Sequence, residues 1–462
     1  MNRNQIDRRS MLAGCGFGAG LLAFQTLSRA DDANDGHRSE HFPATARNVI
    51  VLFMAGGPSQ VDTFDPKPDL ARYHGYDVPE FIARNVPKIK RAGLKNLMAS
   101  PWQFKQYGQS GIPVSDLMPH VARQVDDLCV IRSVNHRNPV HGPGECVALT
   151  GTGVGDRPSI GAWSIYGLGS VNKNLPAFVA MNLKTAGMQY PQVAGWGTGF
   201  LPSRFQGTVV DPVKGVRDIR MPAGVTNPQR RKELDLLDWF NRRHLDRIKH
   251  HSELEARIRS YELAFRMQAS VPELFDVAGE TEQTKTLYGL NRSASAEVGR
   301  GCLLARRMVE RGVRFVQIRV GGWDAHGHIK RNHESMCDAT DQPIAALLAD
   351  LKRRGLLGET LVVWAGEFGR TPTMEGRGMG RDHSPAGYTV WFAGGGVRGG
   401  KIIGQTDPLG YVAVERPVSP MDLHATMLHA IGIDADRLVY NHHGLRETPT
   451  IFGGEAIHEA FG

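Results

Sequence analysis

The chain contains 462 residues, of which 41% are hydrophobic and 22% charged, and its formal net charge is +8 at pH 7. This length and composition are typical of a globular protein with a large core, and they exclude a collagen-like, low-complexity or largely disordered chain. Basic residues concentrate in residues 228–267, where acidic residues alternate with them at helical spacing. A solvated helical face explains this pattern better than a nucleic-acid partner does, so we predict no binding of nucleic acid.

Residues 1–30 have the features of a cleaved export signal of the twin-arginine type. Arg8 and Arg9 precede a short apolar segment, which is followed by a cleavage site after Ala30 and then by acidic residues. The apolar segment is too short and too rich in glycine to span a membrane, so we predict no integral membrane span. We expect a linker at 31–46 and a mature protein that is periplasmic or secreted.

From residue 47 onward, short apolar segments rich in β-branched residues alternate with helical segments. This order predicts an α/β domain at 47–462, with a mostly parallel central sheet and helices on both faces. The predicted strands, in chain order, are "RNVIVLFMAGG", "LCVIRSV", "AFVAMN", "RFVQIRV", "TLVVWA" and "YTVWFA".

The alternation is interrupted at about residues 186–300. This segment is rich in loop residues up to about 227 and strongly helical from there to Phe275. We interpret it as an insertion or cap on one α/β domain. The sequence does not predict the oligomeric state.

Polar residues that could bind a metal follow several of the predicted strands. In open α/β sheets the functional site lies beyond the carboxyl ends of the strands. Carboxylates and imidazoles without a CxxC pair suit a divalent ion, with Zn²⁺ or Mn²⁺ favoured over Ca²⁺ or Mg²⁺. The candidate metal ligands are Asp62, Asp324, His326, His328, Glu367 and His383.

These candidates differ in how well an ordinary structural role explains them. An Asp shortly after a strand often caps a helix, so cap and ligand explain Asp62 equally well. A metal explains the next group better, because three candidate ligands lie within five residues shortly after one predicted strand: Asp324, His326 and His328. For that group we favour a metal site.

Four motifs together resemble the alkaline phosphatase/sulfatase superfamily. They are "MAGGPSQVDTFDPKP", "GGWDAHG", "GEFGRTP" and "GRDHSPAGYTVWFAGGGVRGGKIIGQTD". The chain is more similar, from about Arg47 to Ile433, to an uncharacterised family of exported bacterial proteins, a domain of unknown function usually assigned to that superfamily. The resemblance implies the α/β fold given above and a metal-dependent activity on anionic esters.

The resemblance also implies roles for particular residues. An Asp followed four residues later by a His binds one metal in the phosphatases, which Asp324 and His328 match, although His326 competes for the role. His383 matches the His that completes this site. The second metal normally uses an Asp-His pair where this chain has Glu367 and Phe368, and an Asp after the first strand, for which Asp62 (or Ser59) would have to substitute. One metal site is therefore implied, and the second is altered.

The segment "HGPGECVALTG" resembles the helix that carries the sulfatase nucleophile. His141 falls at the nucleophile position, and Glu145 replaces an Arg of the sulfatase pattern. A covalent ester intermediate of the usual kind needs a hydroxyl or formylglycine there. We expect His141 to be a metal ligand or a general base instead of a nucleophile.

Two functions from different classes follow. The first is an exported hydrolase that uses a metal-activated water on phosphate or sulfate esters, including those on glycans, with Arg370 or Arg381 neutralising the developing negative charge. The alternative is a catalytically silent family member that binds a glycan or a protein at the cell surface. The sequence leaves open whether the protein is an enzyme.

Overall fold

The computed structural model describes the chain from residue 40 onward, with short gaps. The predicted export signal and residues 31–39 of the predicted linker lie outside the described residues. The described ranges are 40–86, 93–183, 195–216, 224, 226–248, 252–376 and 378–462.

The secondary structure alternates strands and helices along most of the described chain. The helices are α1 Gln60–Thr63, α2 Pro68–Arg72, α3 Glu80–Ala83, α4 His141–Thr150, α5 Ile160–Leu168, α6 Asn227–Ile248, α7 Ser252–Phe275, α8 Glu282–Leu287, α9 Ala296–Glu310, α10 Ile329–Arg353 and α11 Pro420–Ala430. The strands of the main sheet are β1 Asn48–Met54, β4 Leu128–Val134, β5 Phe178–Leu183, β6 Thr208–Val209, β7 Phe315–Val320, β8 Thr360–Ala365, β11 Tyr388–Ala393 and β12 Lys401–Ile403. The short strands in two-stranded sheets are β2 Phe104–Tyr107, β3 Ile112–Ser115, β9 Gly369–Arg370, β10 His383–Ser384, β13 Gln405–Thr406, β14 Ala413–Glu415, β15 Tyr440–His442 and β16 Leu445–Glu447.

The main sheet has the order β12-β4-β11-β8-β1-β7-β5-β6. β1 pairs in parallel with both β7 and β8, and β5 pairs in parallel with β6 and β7. β11 is antiparallel to its neighbours β4 and β8, so β4 runs in the same direction as β8. The predicted mostly parallel central sheet is confirmed.

Helices cover both faces of this sheet, as strand β1 shows. Its side chains alternate between two cores: Ile50 and Leu52 pack with α9 and α10, whereas Val49 and Val51 pack with α5 and α11. Because both faces are covered, a strand in the middle of such a sheet must be apolar at successive positions. This is why the segment is continuously apolar instead of alternating with polar residues.

The helical part of the predicted insertion consists of α6 and α7. The two helices are joined by an ion pair between Arg231 and Glu262, with a nitrogen–oxygen distance of 2.7 Å. Other charges of α6 pair along its own surface, for example Arg242 with Asp238 at 2.7 Å. Among the described residues, none of the helices combines the length and the apolar character that crossing a bilayer requires.

Candidate metal centre

Four of the predicted site residues meet at the carboxyl-terminal edge of the sheet. Asp324 and His326 follow β7, His141 begins α4 after β4, and His383 lies in β10. Glu367 follows β8 and lies beside them. Since β4, β7 and β8 run in the same direction, the residues that follow them share one edge of the sheet.

The Asp324 carboxylate is surrounded by the Nε2 atoms of three imidazoles. The distances are 3.2 Å from Oδ2 to His141, 3.1 Å from Oδ1 to His326 and 3.3 Å from Oδ1 to His383. The Nε2 atoms of His326 and His383 lie 2.9 Å apart. One oxygen and three nitrogen ligands thus converge within the span of a single metal site.

On the opposite side of each ring, Nδ1 contacts an oxygen acceptor. When Nδ1 carries the proton and donates it to an oxygen, Nε2 keeps its lone pair and is free to bind a metal. The acceptors are Glu367 Oε1 for His141 at 2.9 Å, Glu375 Oε2 for His326 at 2.5 Å, and the Pro139 carbonyl oxygen for His383 at 2.6 Å.

These contacts give a test of whether the residues fit a metal ion. With Nδ1 as the donor in each ring, the facing Nε2 lone pairs of His326 and His383 would repel each other unless a proton or a cation lies between them. His141 Nε2 is buried, and its contact with Asp324 Oδ2 at 3.2 Å is an ion-pair contact without hydrogen-bond geometry. Three imidazole nitrogens and one carboxylate are a ligand set that suits Zn²⁺ or Mn²⁺. The residues therefore fit a divalent cation.

The same contacts shift the pKa values of the cluster in the metal-free chain. Burial raises the pKa of Asp324, but hydrogen bonds from the three histidines and the charge of Arg370 outweigh it and lower this pKa well below its usual range. Burial lowers the pKa of His141, but Asp324 and Glu367 outweigh it and raise this pKa to about 9. Asp324 therefore remains a charged carboxylate, which is the form that binds a cation.

The cluster is open to solvent on one side. About a third of the side chains of Asp324 and His326 is exposed, whereas those of His141 and His383 are almost buried. A purely structural metal site is closed by its protein ligands, whereas a catalytic one keeps an accessible position. The exposed side at Asp324 provides such access.

Arg370 holds Asp324 in place. Its guanidinium donates to Asp324 Oδ1 at 2.8 Å, to the Gly57 carbonyl at 2.9 Å, and also to the carbonyls of Gly56 and Arg381. The side chain is fully buried and most of its donors are already used. We therefore correct its predicted role from neutralising charge on a substrate to positioning Asp324.

The turn after β1 makes this arrangement possible. Gly56 has a φ of +113°, and a Cβ on it would lie 2.4 Å from the backbone nitrogen of Asp324. A larger residue would separate this turn from the loop after β7. The backbone N–H of Gly56 also donates to Glu367 Oε1 at 2.8 Å, which fixes the carboxylate that holds His141.

Asp62 and Arg381 lie outside the cluster and form their own ion pair. Arg381 Nε donates to Asp62 Oδ2 at 2.7 Å, and Ser59 Oγ donates to the same carboxylate at 2.6 Å. Both side chains of the pair are fully buried. With its charge neutralised locally, Arg381 is not available to a substrate and Asp62 is not available to the metal.

His328 also lies outside the cluster, although its spacing from Asp324 matched the resemblance. It has a φ of +55°, in the left-handed region, and precedes the first residue of α10. Its side chain is exposed and belongs to neither of the two groups in the described part of the chain that could hold a metal ion. The structure brings His326, not His328, into contact with Asp324.

Sequence reasoning missed Glu375, which contacts His326. It lies in the loop between β9 and β10, in the segment "TPTMEGRG", with no second acidic or histidine residue beside it. Its contact with a histidine 49 residues away depends on the path of that loop. The linear sequence therefore contained no local pattern that would have indicated its role.

The chain matches one known protein family over most of its length. The family described as Protein of unknown function (DUF1501) matches residues 46–461, so the chain belongs to this family. This confirms the predicted membership of a family of unknown function. No curated protein matches the chain in sequence.

Several solved structures are similar to this one at low identity. A sulfatase from Pseudoalteromonas sp. has 11% identity and a TM-score of 0.34, covering 84% of this chain and 68% of that one. A phosphonate monoester hydrolase of Agrobacterium radiobacter has 11% identity and a TM-score of 0.36, covering 90% and 77%. An alkaline phosphatase from the Antarctic bacterium TAB5 has 10% identity and a TM-score of 0.30, covering 76% and 92%. At such low similarity the chemistry must be derived from the residues of this site.

Proposed function

We propose that the chain is an exported, metal-dependent hydrolase of phosphate or sulfate esters. The observation that supports this most is the convergence of three imidazole Nε2 atoms on the Asp324 carboxylate, with Nδ1 of each ring held by an oxygen. Because an oxygen holds Nδ1 of each ring, the three Nε2 atoms face Asp324, where a bound cation would be shared by all four groups.

His141, His326, His383 and Asp324 would hold the ion. Glu367 and Glu375 orient the rings of His141 and His326. A divalent cation bound here would polarise an ester oxygen and lower the pKa of a water molecule toward neutrality. In this proposal His141 acts as a ligand, since its Nε2 faces Asp324 and its Nδ1 is already engaged.

The position of helix α4 favours an anionic substrate. The helix has ten residues, and its first residue is the cluster residue His141, so its amino-terminal end lies at the candidate metal centre. The amino-terminal end of a helix carries a partial positive charge and free N–H groups that stabilise anions. A phosphate or sulfate group beside the cation would interact favourably with it, and esters carried by glycans belong to the same chemical class.

Elemental analysis of the protein, purified without chelator or added metal, tests the proposal first. We expect at least one equivalent of Zn or Mn, together with hydrolysis of aryl phosphate or aryl sulfate esters that chelation abolishes. His383→Ala should remove metal and activity together. A folded protein that neither contains nor takes up a divalent transition metal would contradict the proposal.

A second candidate function is supported by the first residue of α4. The helix begins with His141 where a hydroxyl or thiol nucleophile would stand in a sulfatase-like site. A silent family member that binds an anionic glycan or a protein would retain the fold and the cation but lack turnover. Stoichiometric metal without hydrolysis of any phosphate or sulfate ester would favour this candidate.

We also propose that export follows the twin-arginine route and that cleavage occurs after Ala30. Replacing Arg8 and Arg9 by Lys should leave the precursor uncleaved inside the cell. Sequencing of the amino terminus of the exported protein checks the cleavage site, and an export unaffected by the double replacement would contradict the route.

A further inference from the structure

His326 belongs to two groups of side chains that could hold a metal ion, one on each side of its ring. Its Nε2 atom faces Asp324 and His383, as described above. Its Nδ1 atom lies 2.5 Å from Glu375 Oε2 and 3.8 Å from Asp382 Oδ1. Two carboxylates therefore flank the nitrogen that points away from the candidate metal centre.

Asp382 has an oxygen atom without a partner. The side chain is only 2% exposed, and its Oδ1 accepts the backbone N–H of His383 at 2.7 Å. Its Oδ2 is buried and has no hydrogen-bond partner among the described residues. A buried carboxylate oxygen left unpaired is unfavourable, and binding a cation would relieve this cost.

The backbone holds both carboxylates in place. Asp382 exchanges two hydrogen bonds with Thr371, donating to its Oγ1 at 3.1 Å and accepting from its N–H at 2.8 Å. Glu375 exchanges two backbone hydrogen bonds with Gly380. A Cβ on Gly380 would lie 2.0 Å from the His326 carbonyl oxygen, so this glycine lets the two loops touch.

We propose that Nδ1 of His326, Glu375 and Asp382 bind a second divalent cation, so that the His326 ring bridges two ions. One imidazole nitrogen and two carboxylates suit Zn²⁺ or Mn²⁺. When the second ion binds, the Nδ1 proton leaves to solvent, and each ring nitrogen then offers one lone pair to one ion. Nearly a third of the Glu375 side chain is exposed, which gives solvent access to complete the coordination.

This site differs from the altered second position that the sequence implied around Glu367 and Phe368. Glu367 Oε1 contacts His141 Nδ1 and accepts the backbone N–H of Gly56, and Glu367 belongs to neither candidate group of metal-binding side chains. The inference rests on the proposed function only in requiring that the cluster at Asp324 holds the first ion. The two can therefore be tested separately by counting ions.

The experiment uses the whole mature protein, prepared free of metal and then loaded with Zn²⁺. Elemental analysis after gel filtration measures the stoichiometry of bound zinc. We expect two equivalents in the wild type and one equivalent in both Asp382→Asn and Glu375→Gln. Asp341→Asn is the matched control, because this carboxylate is also buried but binds the backbone N–H groups of His120 and Val121. The control should retain two equivalents.

A spectroscopic measurement tests the bridge itself. Two Cu²⁺ ions joined by one imidazole ring couple antiferromagnetically. When Cu²⁺ replaces Zn²⁺, the second equivalent should therefore weaken the EPR signal of the first instead of doubling it. Loss of this coupling in Asp382→Asn, with the signal of one uncoupled Cu²⁺ retained, would support the shared ring.

The other outcomes separate the two proposals. One equivalent in the wild type, lost in His383→Ala, would overturn the second site and leave the proposed function intact, with Glu375 only orienting His326. Two equivalents that persist in Asp382→Asn, or two Cu²⁺ signals that simply add, would also overturn it. No bound metal in the wild type would contradict both proposals.

Discussion

Asp324 and Asp62 follow neighbouring strands of the sheet but have opposite surroundings. Asp62 follows β1, is fully buried, and is paired with Arg381 and hydrogen-bonded to Ser59. Asp324 follows β7, is partly exposed, and faces the Nε2 atoms of three imidazoles, each of which directs its Nδ1 atom to another oxygen. The first carboxylate has its charge neutralised by a permanent partner. The second is surrounded by imidazole groups that would share a bound cation with it.

The comparison shows how a structural carboxylate can be distinguished from a functional one at the same sheet edge. Burial raises the pKa of Asp62, but Arg381 outweighs it and lowers this pKa below its usual value, so the pair stays charged. A buried pair of this kind contributes to specificity of the fold and becomes costly when one partner is removed. Asp324 has Arg370 as one neighbour, yet its other contacts are imidazole nitrogens that can bind a metal. The predictions below test this difference.

The largest effect is expected from removing Arg381. Arg381→Met leaves Asp62 as a buried, unpaired charge, so the free energy of unfolding should fall by about 3–5 kcal/mol. Urea denaturation measures this loss. The double variant Asp62→Asn/Arg381→Met removes both charges and is the matched control, and it should recover part of the loss. A single variant as stable as the wild type would show that the pair has no structural role.

Asp324→Asn should affect metal affinity more than stability, the reverse of what is expected for Arg381→Met. It removes the carboxylate that contacts all three Nε2 atoms, so metal affinity should fall by more than about 100-fold, beyond the range typical of outer-shell changes. The stability of the metal-free protein should fall by less than it does in Arg381→Met. Competition with a chromogenic chelator measures the affinity. Unchanged affinity would mean that Asp324 is not a ligand.

Glu367→Gln should have an intermediate effect. The Gln side chain can still accept hydrogen bonds from His141 and Gly56, but the negative charge that favours their alignment is lost. Outer-shell partners of metal ligands typically contribute 10–100-fold in affinity, and we expect the lower end, about 10-fold. The same chelator competition measures it. A loss as large as that of Asp324→Asn would instead make Glu367 a direct ligand.

His328→Asn should have the smallest effect. Asn tolerates the left-handed conformation of this position, and the exposed side chain contacts no cluster residue, so stability should change by less than about 0.5 kcal/mol. Metal content should equal that of the wild type, whereas His326→Asn should lose metal. If the two variants behaved in the reverse way, His328 and not His326 would be the metal ligand.

The sequence by itself determined the sheet and the edge at which the site lies. Strands β1, β7 and β8 are apolar at successive positions because helices cover both faces, and such segments can be recognised without a structure. Polar residues directly after them were expected to meet, because parallel strands place their carboxyl ends together. Asp324, His326 and His383 were predicted in this way, and His141 was predicted from the helix it begins.

Only the tertiary structure decided which of these residues share a site. Asp62 pairs with Arg381 across 319 positions, and Glu375 reaches His326 across 49, so no local pattern reveals either contact. His326 and His328 are two residues apart, and the left-handed turn at His328 directs only His326 into the cluster. The spacing of residues in the sequence determines which of them follow the same strand. The paths of the loops, set by close contacts such as that of Gly56 with Asp324, fix which side chains meet.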